Sequence, residues 1–74
     1  MTSRYEIRIT LKNGILDNAG RAVTRALNTM GYDTVNDVRI GKTIYIETDQ
    51  DPEPMARSQV NAVMEDYIII AHND

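Results

Sequence analysis

Between Arg4 and Lys12 apolar and polar residues alternate without a break: Tyr5, Ile7, Ile9 and Leu11 share one side, Arg4, Glu6, Arg8, Thr10 and Lys12 the other. That is the pattern of a strand with one buried and one wetted face. Asn13-Gly14 ends it as a turn. Next, Ala19, Ala22, Val23, Ala26, Leu27 and Met30 recur at i, i+3, i+4, i+7, i+8 and i+11, an apolar stripe sustained over three turns of helix. Asp17 is placed to cap the first-turn amides, and Gly31 follows as the left-handed residue that stops the helix. Alternation returns in Asp37–Glu47, with Val38, Ile40, Ile44 and Ile46 as apolar positions, interrupted by Gly41-Lys42. A glycine inside a strand pattern marks a bulge, bend or turn, so this stretch is either a hairpin closing at Gly41-Lys42 or one long bent strand. Gly41 is expected to need a positive φ, which makes Gly41→Val disruptive. Asp51, Pro52 and Pro54 open a second helix, expected from about Pro52 to Val63. Glu65–Ala71 closes the chain as a strand that is apolar on both sides, Tyr67, Ile69 and Ala71 against Ile68 and Ile70.

The elements predict an α+β protein: a single two-layer sandwich over residues 1–74, with two helices on one face of a mostly antiparallel sheet. The path is β-α-β-β-α-β if Gly41-Lys42 is a hairpin, and has one long bent strand in the middle otherwise. Helices cover one face only, so the doubly apolar last strand calls for another subunit on its second face.

Composition reinforces that need. With 74 residues and no cysteine, the chain has neither a large core nor disulfides or thiolate metal ligands to supplement it. Eight Lys and Arg against 11 Asp and Glu leave a net charge of −3, which disfavours nonspecific nucleic-acid binding. Four tyrosines without Phe or Trp make an RNA-binding sheet a weak reading as well. No apolar run approaches the roughly 20 residues of a membrane span, and the N-terminus lacks a signal-peptide core, so a cytoplasmic protein is expected.

Catalytic patterns fail one by one. Gly41-Lys42-Thr43 ends like a phosphate-binding loop, but Asn36 stands where the first glycine belongs and a strand follows in place of a helix. His72 is the lone histidine and reads as a solvated tail residue. Asp49, Asp51 and Glu53 lack the glycine and distal glutamate of a calcium loop and read as a turn with a helix cap. Glu65 and Asp66 are strand neighbours that point to opposite faces and cannot share a site in one subunit. Arg21 and Arg25, one helical turn apart, could meet phosphates or an acidic partner, as could Arg39 and Lys42; a solvated face is the plain alternative. A pocket of about 300 Å³ within one such small subunit is not expected.

Val38-Arg39-Ile40-Gly41-Lys42, following Leu27 through Gly31-Tyr32, resembles the signature of the PurS family. The likeness extends over Tyr5-Glu6-Ile7 through Leu11-Lys12, Gly14-Ile15-Leu16-Asp17, Gly20, Ala22-Val23, Ala26-Leu27, Met30, Val35, Asp37 and Glu65-Asp66-Tyr67. Asn18 replaces the proline common after the capping aspartate. The segment before Glu65 is also shorter than usual and lacks an Asn-Pro pair, which implies a curtailed second helix. The resemblance implies a non-catalytic subunit of phosphoribosylformylglycinamidine synthase in purine biosynthesis. Such a subunit forms dimers or tetramers and docks the glutaminase subunit PurQ on the synthetase subunit PurL for ammonia transfer. It binds no cofactor itself, the complex using ATP and magnesium. Arg21, Arg25, Arg39, Gly41, Lys42, Tyr67 and Ile69 are then the assembly or docking candidates. The alternative is a ferredoxin-like regulatory domain that binds a small molecule between subunits.

Overall fold

A computed structural model describes residues 2–72. The elements are β1 (Ser3–Leu11), α1 (Asn18–Thr29), β2 (Lys42–Thr48), α2 (Pro52–Gln59) and β3 (Glu65–His72). The α+β class stands: a three-stranded antiparallel sheet in the order β2-β1-β3 with two helices, β-α-β-α-β. β1 alternates as its sequence requires. Its register sets Ile7 between Ile44 and Ile69, and Tyr5 between Ile46 and Ala71. Those rows make the apolar face, and Ala56 of α2 closes over Ile7 and Ile9. Ile44, Ile46, Val60, Tyr67 and Ile69 pack around this centre half-buried.

The central stretch differs from both forms expected of it. Residues 37–41 lie outside any strand, and β2 begins only at Lys42. The Ile40 amide donates to the Asp17 carboxylate at 2.7 Å, so it is not spent on a strand ladder. Gly41 has no positive φ; among the glycines, Gly14 and Gly31 do. A side chain at Gly41 is excluded for another reason, because its Cβ would lie 2.6 Å from the Ile9 carbonyl oxygen. Gly41 thus lets two backbones approach, and turns nothing.

Both helix starts follow the sequence. Asp17 accepts from the Gly20 amide at 2.8 Å, and Asp51 from the Glu53 amide at 3.0 Å. α1 stops at a Schellman motif, with Tyr32 donating to Leu27 at 2.9 Å and Gly31, at φ 103°, to Asn28 at 3.1 Å. α2 is shorter than the expected Pro52–Val63. Asn61 ends the helical path: its side chain accepts from the Val63 amide at 3.1 Å, and its carbonyl from Met64 and Glu65.

Very little of this chain is interior. Among the described residues only Ile7, Ile9 and Ala56 are buried hydrophobics. The molecule measures 49 × 30 × 12 Å, and its radius of gyration is 15.8 Å. A compact chain of this length would have about 11 Å. Its accessible surface is 5637 Å², against about 4,600 Å² for a typical monomer of this mass. α1 makes no extended contact with any strand or with α2. Its stripe lies open, with Ala19, Ala22, Val23, Ala26 and Met30 all exposed.

Candidate functional surface

Three surfaces stand out: the base of α1, the outer face of the sheet and the α1 stripe. At the base of α1 the chain entering the helix meets the chain leaving it. Asp17 bridges them, its Oδ1 on the Gly20 amide and its Oδ2 on the Ile40 amide. The Ile40 and Gly20 amides hold the Asp17 carboxyl below the usual carboxylate range, helped by the Arg39 charge and opposed by desolvation. Arg39 donates to the carbonyls of Ile15 and Lys12 at 3.3 Å and of Leu11 at 3.4 Å. Arg21 and Arg39 border one open cleft of about 290 Å³ with Asp17 and Asp37. Lys42 and Gly41 line a neighbouring cleft of about 300 Å³. Arg25 sits one turn further along α1, exposed and away from both.

The outer sheet face carries Glu6, which is buried although its place in the alternation reads as wetted. Arg8 donates to one of its oxygens, and His72 Nε2 lies 3.0 Å from the other. These two contacts lower the Glu6 carboxyl below its ordinary value against the opposing cost of burial. His72 is thus paired at the end of β3 and is not a loose tail residue. Beside this cluster Tyr45 is 76% exposed and Ile68 is 56% exposed. These residues make this the unfilled face of the last strand. Tyr67 and Ile69 lie on the opposite side, within the half-buried ring under α2. Tyr67 donates its hydroxyl to Glu53 there, which raises the phenol above its ordinary value. Asp66 pairs with Lys12 at 2.9 Å on the outer face, while Glu65 turns to the Asn61 amide.

Open clefts do reach sizes not expected of so short a chain. One of about 370 Å³ lies by Tyr45 and His72, another of about 330 Å³ by Arg57 and Tyr67. They exist because a flat molecule leaves its margins unfilled. Among the described residues no group of three His, Cys, Asp or Glu could hold a metal ion. No described helix is long and apolar enough to cross a membrane.

The sequence shows Asp17 as a cap but not as a bridge, because its second partner lies 23 residues away. Gly20 belongs to the family likeness, but the likeness does not say what it does: a Cβ there would meet the Val38 carbonyl oxygen at 2.0 Å. Its place three residues after a capping aspartate is the only local hint.

The lowered Asp17 value carries a pH dependence. A carboxyl whose folded value lies below its unfolded one, about 4, contributes its full stability above that pH and loses it as pH falls through the folded value. Asp17→Asn should remove this dependence. Between about pH 5 and about pH 2.5 the urea midpoint should fall further for wild type than for the variant, wild type losing more of its advantage on acidification. Equal losses in both proteins would show that the charge on Asp17 contributes nothing.

The family model for PurS, described as phosphoribosylformylglycinamidine (FGAM) synthase, matches residues 4–72. The phosphoribosylformylglycinamidine synthase subunit PurS of Synechocystis is 37% identical over 70 residues, covering 92% of this chain and 70% of its own. That of Bacillus subtilis is 35% identical over 72 residues, covering 86% of each. Among solved structures, Methanocaldococcus jannaschii PurS aligns with a TM-score of 0.83 at 30% identity, over 100% of this chain and 99% of that one. It is described as one of the subunits of formylglycinamide ribonucleotide amidotransferase in the purine biosynthetic pathway. The B. subtilis PurS structure aligns at 0.78 with 32% identity, over 99% and 100%. Matched along nearly its whole described length in sequence and in fold, the chain belongs to the PurS family, a subunit of FGAM synthase in purine biosynthesis.

Proposed function

We propose that the chain serves FGAM synthase by holding other subunits together and contributes no reacting group itself. One observation carries this reading: Ala19, Ala22, Val23, Ala26 and Met30 of the α1 stripe are exposed in the single chain, and only Leu27 is half-buried. A helix that is apolar along one face for three turns must cover that face against something. In the proposed complex the synthetase subunit PurL uses ATP and magnesium to activate the amide oxygen of formylglycinamide ribonucleotide. The glutaminase subunit PurQ releases ammonia from glutamine, and that ammonia displaces the activated oxygen. The present subunit binds no cofactor, works in the cytoplasm and keeps PurQ seated on PurL so that ammonia passes without escape. It does so as a dimer or tetramer. Its surface excess of about 1,000 Å² over a compact monomer exceeds the roughly 800 Å² per partner of a standard interface. Arg21, Arg25 and Lys42, all exposed, are available to partners at the α1 and β2 ends of the molecule. The sensor alternative has less in its favour, since its clefts are open and the family is a synthase subunit.

The test is glutamine-dependent FGAM formation by purified synthetase and glutaminase, with and without this subunit, beside an ammonia-fed control. The subunit should be required for the first reaction and nearly indifferent to the second. Unchanged glutamine-dependent turnover and no ternary complex would dismiss the docking role.

A further inference from the structure

Packing does not fix the direction in which α1 leaves the sheet, because the helix makes no extended contact with strands or with α2. At its base, polar ties converge. The first turn lies so close to the departing chain that no side chain fits at Gly20 beside the Val38 carbonyl. Asp17 clasps that same segment through the Ile40 amide at 2.7 Å. Arg39, between Val38 and Ile40, reaches the other way and spans the β1–α1 loop from Leu11 to Ile15 through three carbonyls. Asp17 and Arg39 thus cross over one another, each tying the strand-side segment to the helix-side one.

We propose that Arg39, together with Asp17, is a positioning residue for docking: it aims α1 and its apolar stripe, and does not itself meet a partner. This rests on the docking role proposed above. The donors of its guanidinium that face the loop are aimed at carbonyls of its own chain. A planar fork can bridge several carbonyls at once, whereas a lysine ammonium is a point charge on a flexible stem and cannot reproduce the span. A residue that recognised an acidic partner by charge would tolerate lysine; one that holds a loop in shape would not.

Arg39→Ala and Arg39→Lys in the full chain separate these roles. In the glutamine-dependent assay both variants should raise the half-saturating subunit concentration about tenfold, with the plateau rate unchanged. Helix misalignment weakens assembly but not the chemistry, which occurs elsewhere. Hydrogen exchange of the Ile40 and Gly20 amides, followed by NMR in the isolated subunit, should accelerate in both variants. Wild-type half-saturation in Arg39→Lys would overturn the proposal in favour of direct charge recognition. Accelerated exchange with unchanged half-saturation would overturn it too, by showing that the ties do not govern docking. If wild type itself fails to support glutamine-dependent turnover, the docking role falls, and unaltered exchange in Arg39→Ala would separately refute the fastening role.

Discussion

Val23→Glu is expected to reduce glutamine-dependent FGAM formation about 100-fold at limiting subunit, the scale of losing one central interface contact. Ammonia-dependent formation should hold. Val23 lies midway along the α1 stripe and is 37% exposed in the single chain, so a glutamate there can remain in water until a partner arrives. Within α1 the change is mild, because glutamate is a better helix former than valine. The isolated variant should therefore keep wild-type far-UV circular dichroism while sedimenting as a smaller species. The cost falls on association, where a carboxylate must be stripped of water without a counter-charge. Retained assembly and activity would show that the stripe is not the docking surface. Met30, 69% exposed at the C-cap of α1, offers a second position for the same substitution.

Gly20→Ala should be the most damaging single methyl in the chain. The added Cβ would sit 2.0 Å from the Val38 oxygen and 2.9 Å from Asp17 Oδ2. The nearer neighbour is backbone and cannot rotate aside. Relief requires α1 to move off the 38–40 segment, which breaks the Asp17–Ile40 bond with it. A loss of about 3 kcal/mol is expected, equivalent to roughly 10–20 °C in the thermal midpoint of a domain this small. Scanning calorimetry would measure it directly. A midpoint within a degree or so of wild type would mean that the close approach is not maintained in solution. Alanine is ordinarily the better helix residue, so any fall at all runs against propensity and reports the clash.

Features whose causes are local were legible in the sequence. β1 follows from strict alternation, α1 from its stripe, the aspartate before it and the glycine after it. Family likeness added the central signature. What could not be read depends on segments distant in the chain. Gly41 reads as a turn because glycine in a strand pattern has that meaning on average, while its actual neighbour is the Ile9 carbonyl. Arg39 reads as an exposed cation available to a partner, since nothing local reveals the three carbonyls that it spans. Glu6 reads as wetted, and only the pairing of β1 with β3 brings His72 against it. Tyr67 and Ile69 were candidates for a partner's surface. Which side of a doubly apolar strand receives the helix is decided by the α2 crossover, and α2 took theirs.

The scarcity of shielded positions bears on how this chain tolerates mutation. With Ile7, Ile9 and Ala56 as the only buried hydrophobics among the described residues, most side chains face no steric test from the chain itself. A substitution survey scored on expression of the lone subunit would pass many changes, on α1 and on the outer sheet face alike. Scored on purine prototrophy, the same survey would reject them. The gap between those two maps would trace the surfaces on which selection acts through neighbours, and it would be wide because so little of this molecule lies out of their reach.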